Sequence, residues 1–175
     1  MRRKQLIIII ILVALLVLTG CDTRKFSTYP ELEKGFDETG LKWGMSYDEV
    51  GNIVPGVNKV DDYFMTLYVL YENVWSCHYY FYEDALDRVS MHLIGSDKME
   101  NYKEYKGFDT AYFEQDIYAV YDKVLSQMME VLGPANKMTE QSGESITYNW
   151  ELNSTKADLY YDITKGRLTI RYYAN

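Results

Sequence analysis

Few residues in this sequence have side chains suited to chemistry. His78 and His92 are the only histidines. On neighbouring strands they would share one sheet face, and two imidazoles beside an acid can bind a metal. No third ligand stands at a telling spacing, so a surface or partly covered pair is the better reading. No metal or other cofactor is expected. Acidic pairs occur at Asp61-Asp62, Glu83-Asp84 and Glu31/Glu33. Paired carboxylates serve glycoside hydrolysis or calcium binding. Here they fall in expected turns or in a polar leading stretch, where solvated acids need no further role. No nucleophile elbow, P-loop, dinucleotide glycine motif or zinc spacing is present. No catalytic residue is assigned, and a non-enzymatic protein is expected.

Cysteine chemistry is confined to Cys21 and Cys77. Ahead of Cys21 stand a basic start, Arg2-Arg3-Lys4, and an unbroken apolar run, Leu6 to Leu18. As a helix the run spans roughly 20 Å. A bilayer core is about 30 Å thick, so the run suits a signal peptide better than an anchor. Leu18-Thr19-Gly20-Cys21 resembles the lipobox of bacterial lipoproteins. The resemblance implies a diacylglyceryl group on the Cys21 thiol and removal of residues 1–20. The expected placement is the cell membrane, lipid-anchored, on the extracytoplasmic side. Asp22 resembles an inner-membrane retention signal if the cell is Gram-negative and means nothing special in a Gram-positive one. With Cys21 acylated, Cys77 has no intrachain partner and reads as a small buried hydrophobe.

The chain holds 18 Lys and Arg against 26 Asp and Glu, a net charge of −8. Residues 1–20 contribute three of the cations and no acid, so the remainder is more acidic still. That balance excludes nucleic acid as a partner, because phosphate binding needs clustered Lys and Arg. Hydrophobic residues make up 47% of the chain, enough for a packed core.

The elements that would position these residues follow from periodicity. Residues 21–40 are polar, with Pro30, Gly35 and Gly40, and read as a lipidated tether. Ser46-Tyr47-Asp48-Glu49 is a capping box; the short helix it opens stops at Pro55-Gly56. Strands are expected over Tyr63–Tyr71, Val74–Tyr82 and Arg88–Ile94. Residues 96–110 read as a linker. A helix over 111–132 carries an apolar stripe through Ile117, Tyr121, Val124 and Met128 and stops at Gly133-Pro134. Strands over Ile146–Leu152, Lys156–Tyr161 and Arg167–Tyr173 complete the chain.

The order helix–three strands therefore occurs twice, over 41–95 and 111–175. At offsets of 78 to 80, Pro55-Gly56-Val57-Asn58-Lys59 meets Gly133-Pro134-Ala135-Asn136-Lys137, and Arg88-Val89-Ser90-Met91 meets Arg167-Leu168-Thr169-Ile170. The expected fold class is α+β: a tandem repeat of one helix plus a three-stranded antiparallel sheet, after a cleaved signal peptide.

The opening Trp43-Gly44-Met45-Ser46-Tyr47-Asp48-Glu49-Val50, ending at Pro55-Gly56, resembles that of small bacterial envelope modules. These are the SmpA/OmlA lipoproteins and the tandem-repeat β-lactamase inhibitor proteins. The resemblance implies a capped helix before a three- or four-stranded sheet, and non-catalytic protein binding. The paired cysteines of the inhibitors are lacking here.

Eighteen tyrosines remain to be placed. The alternation sets Tyr68, His78, Tyr80, Tyr82, Tyr160 and Tyr173 on the sheet faces away from the helices. Tyr offers a large contact area and a hydroxyl that tolerates water. These residues are the candidate partner-binding face of a protein-binding or scaffold module, its partner an envelope or secreted protein. An inhibitor of a secreted hydrolase is the first alternative; a small-ligand carrier or an enzyme is the second.

Overall fold

A computed structural model describes residues 27–60, 63–96 and 117–175. Cys21, the signal segment, Asp61-Asp62, most of the 96–110 linker and the start of the 111–132 helix lie outside the described residues. Strands are β1 (Ser27–Thr28), β2 (Asn58–Val60), β3 (Tyr63–Leu70), β4 (Asn73–Tyr82), β5 (Ala85–Ser96), β6 (Lys137–Gln141), β7 (Ser145–Glu151), β8 (Thr155–Asp162) and β9 (Arg167–Ala174). Helices are α1 (Pro30–Glu33), α2 (Tyr47–Ile53) and α3 (Ile117–Leu132), with a 3-10 turn at Phe36–Thr39. Among the described residues no helix is long and apolar enough to cross a membrane.

The capping box forms as the residue types dictate. Ser46 Oγ accepts from the Glu49 N–H, and Glu49 Oε2 accepts from the Ser46 N–H at 2.8 Å. The Ser46 N–H and the Ser46 hydroxyl, which donates to the same Oε2 at 3.0 Å, favour the charged carboxylate and hold the Glu49 carboxyl below its ordinary range. Two hairpins turn on residue pairs with positive φ, Tyr71-Glu72 and Glu83-Asp84. Turns of this hand match the right-handed twist of the strands they join. Helix α3 buries Tyr121, Val124 and Met128 on one stripe, and Gly133 beyond its end takes φ 84°.

The two expected modules do not form as a tandem pair. Nine strands make one sheet in the order β1-β3-β4-β5-β9-β8-β7-β6, with β2 also pairing β3. All pairs are antiparallel except β1 with β3. The junction is β5 with β9, running from Arg88↔Tyr173 to His92↔Thr169. Two separate three-stranded sheets would each leave a row of unpaired N–H and C=O groups on that edge. Joining them satisfies both rows and sets Met91 beside Ile170 in one continuous core.

One face of this sheet is the core. It buries Phe64, Tyr68, Trp75, Cys77, Tyr79, Val89, Met91, Trp150, Leu159 and Tyr172 beneath the helices. Residues 27–40 pack into that core instead of standing off as a tether. Leu32 of α1 and Phe36 of the 3-10 turn are buried, and Phe36 stacks on Trp43 at 3.9 Å. Trp43 Nε1 in turn donates to Thr155 Oγ1 at 2.9 Å, tying this segment to the far half of the sheet.

Candidate functional site

The sheet's other face brings most of the chemistry-bearing residues together. Antiparallel register places side chains in rows across neighbouring strands. The first row reads Tyr63, Tyr80, Arg88, Tyr173, Lys156 and Glu151. The second reads Met65, His78, Ser90, Arg171, Asp158 and Asn149. The third reads Leu67, Ser76, His92, Thr169, Tyr160 and Thr147. Each row crosses β3-β4-β5-β9-β8-β7 without a break, so the fusion of β5 to β9 makes one surface of what the sequence suggests are two.

Two clusters stand on it. The first is aromatic. Tyr63 stacks on His78, with ring centroids 5.1 Å apart, and lies 5.4 Å from Tyr80. The guanidinium of Arg88 sits over the Tyr80 ring at 4.1 Å, in cation–π range. His78 and His92 meet edge to face at 5.3 Å. The second cluster is polar. Asp158, 7% exposed, accepts from Tyr173 Oη and from Asn149 Nδ2, each at 2.6 Å. Arg171 lies 3.7 Å from the same carboxylate and 5.5 Å over the Tyr160 ring. A buried acid held by two short hydrogen bonds is satisfied and rigid, so it fixes its neighbours.

Burial explains the titration. The His78 imidazolium would lose its water, which pushes its pKa down to about 4. His92 is also pushed down to about 4, first by burial, then by His78 and by the positive charges of Arg171, Arg88 and Arg167. Burial, followed by the hydrogen bond to Asp158, pushes the Tyr173 hydroxyl up to about 12. Both imidazoles are therefore neutral near neutral pH.

Ser76 Oγ and His78 Nε2 lie 2.6 Å apart, the first half of a nucleophilic dyad. His78 Nδ1 lies 3.4 Å from the Tyr80 hydroxyl, a neutral group that orients an imidazole less strongly than a carboxylate does. Ser76 is 1% exposed, which leaves its oxygen out of a substrate's reach. The pair satisfies buried polar atoms. Among the described residues no three His, Cys, Asp or Glu side chains gather into a metal-holding group.

The candidate residues fare differently. His78, Tyr80, Tyr160 and Tyr173 share the outer face. Tyr82, 69% exposed, stands beside the Glu83-Asp84 turn at the end of β4. Tyr68 is misplaced by one residue of parity. It is fully buried on the core face, opposite Trp75, and its hydroxyl donates to the Pro55 carbonyl at 2.6 Å. Cys77 is buried too, and burial pushes its thiol up. The sequence reading overlooks Tyr63, Arg88 and Ser90. Alternation with the apolar Val89 and Met91 is the signal that could have placed Arg88 and Ser90 outward.

Comparison with known proteins adds little. No family model matches the chain, and no curated protein matches it. Among solved structures it is similar to a DUF4309 family protein, YjgB, from Bacillus subtilis. The match has 11% identity, covers 74% of this chain and 78% of that one, and has a TM-score of 0.35. A likeness at that level carries no argument about function.

Proposed function

We propose that this chain is an extracytoplasmic lipoprotein, anchored through acylated Cys21, that binds a protein partner through the outer sheet face. The observation that carries the reading is the pairing of Arg88 with Tyr80 and of Arg171 with Tyr160 on one unbroken face. Arg and Tyr are the residue types enriched at protein interfaces. Guanidinium–ring stacks fix both side chains beforehand, so less rotamer entropy is lost on docking. A lipid on Cys21 would hold this face near other envelope proteins. The resemblance of residues 43–56 to SmpA/OmlA lipoproteins and β-lactamase inhibitor proteins belongs to the same reading.

The test is capture of envelope partners by the intact lipoprotein and by a Tyr80→Ala/Tyr160→Ala pair. Partners held by the wild type and lost by the folded variant support the face. Recovery of the same partners by both overturns it. A partner that is a secreted hydrolase, inhibited at one-to-one stoichiometry, would assign the inhibitor role.

A further inference from the structure

The proposal rests on the reading of the outer face as a partner surface, and it names the partner's chemistry. We infer that Arg88 and Arg171 receive two carboxylates of an acidic, extended protein segment.

Arginine placement is the first support. The described residues hold three arginines, Arg88, Arg167 and Arg171, and all three lie on the outer face, where Lys156 and Lys137 also stand. Arginine's planar fork matches a carboxylate through two parallel bonds, which lysine cannot do. The positive charges of all three help to hold the His92 imidazole below its ordinary range. In an acidic chain this is a local positive field on one face.

Unspent donors are the second support. Arg88 is exposed and lies over Tyr80, and none of its ion pairs falls among the described residues. Arg171 has one acid near it, Asp158 at 3.7 Å, whose two oxygens already accept from Tyr173 and Asn149. The Arg171 Nε has no partner, although it is buried from water. An arriving carboxylate would meet the terminal nitrogens of Arg171, whose side chain is 37% exposed.

Spacing is the third. Arg171 stands opposite Ser90, one outward position along β5 from Arg88, so the two arginines are diagonal neighbours. Such positions lie about 7–8 Å apart across a sheet. Alternate side chains of an extended segment repeat at about 7 Å. Two acids separated by one residue therefore span the two guanidiniums. A protein segment fits this better than a phosphate-rich surface, because Tyr80 and Tyr160 flank the arginines with apolar area that an extended peptide covers.

The experiment uses the full lipidated chain in detergent micelles. The probe is a fluorescein-labelled peptide of alternating Glu and Ser, compared with its Gln-for-Glu counterpart. Anisotropy should show the Glu peptide bound more tightly. Arg88→Gln with Arg171→Gln should weaken it by about tenfold or more. A Lys34→Gln/Lys42→Gln control should leave it unchanged. Arg88→Gln alone changes an exposed side chain, keeps the fold and should still weaken binding measurably. Equal binding of the two peptides, or equal loss in the lysine control, overturns the inference. Tighter binding to polyphosphate or to phosphatidylglycerol vesicles than to the Glu peptide also overturns it and assigns the face to phosphate. The two readings fail separately. A native partner lost with Tyr80→Ala/Tyr160→Ala but kept with the arginine pair leaves the face standing and removes the carboxylates. A partner kept by both variant pairs removes both.

Discussion

Acid should loosen this protein through its two histidines. Both rings belong to the outer face, both are neutral in the fold, and both are held down to about 4. In the unfolded chain each would titrate at about 6.5. Below that value the unfolded state binds more protons than the native one, so stability rises with pH through the window between the two values. The contribution is complete above about pH 6.5, is lost as pH falls towards 4, and does not change further below it. Between about pH 7.5 and 5 each histidine accounts for about 2 kcal/mol, or about 4 for both. His92 is only partly buried and the rings repel one another when charged, so about 2–4 kcal/mol is the expected loss. The perturbation is His78→Gln with His92→Gln, and the assay is urea unfolding at both pH values. Wild type should lose about 2–4 kcal/mol more than the variant over that interval. Carboxylates titrate in both proteins and cancel in the comparison. Equal pH dependence, within about 0.5 kcal/mol, would refute the claim that burial keeps these rings neutral.

Other consequences follow from single contacts. Ser46→Ala removes the cap of α2 and should cost about 1 kcal/mol in urea unfolding. Tyr68→Phe deletes the bond to the Pro55 carbonyl and should cost about 1 kcal/mol, with partner capture unchanged, because the ring lies in the core. Met91→Ala opens a cavity at the β5–β9 seam and should cost about 2–5 kcal/mol, read as a fall in the urea midpoint. Cys77 should resist iodoacetamide in the native protein and react on unfolding, since burial keeps it both inaccessible and protonated.

Strand and cap positions are legible in the sequence for local reasons. Alternation of Val89 and Met91 with polar neighbours marks β5, and Ser46 with Glu49 marks the start of α2. The joining of β5 to β9 is not legible, because the same alternation serves an edge strand and a strand paired on both sides. The face of Tyr68 fails for a different cause. Strand β3 is apolar at nearly every position, and its one polar residue, Thr66, lies on the core side. Assigning polar residues outward therefore inverts β3. Fixing its parity needs the pairing of Tyr68 with Trp75. The packing of Leu32 and Phe36 is hidden because acids and glycines surround them, although both are large apolar residues in a polar stretch. His78, Arg171 and Asp158 share a face by alternation alone. Their closeness across β4, β5, β9 and β8 follows only from the single sheet.

The outer face as a binding surface is tested most directly by photo-crosslinking in intact cells, with a benzophenone amino acid introduced at position 160 or, as a control on the edge strand, at position 138. A discrete adduct formed from position 160 and absent from position 138 is the predicted result. Adducts of the same size from both positions, or from position 138 alone, would contradict it.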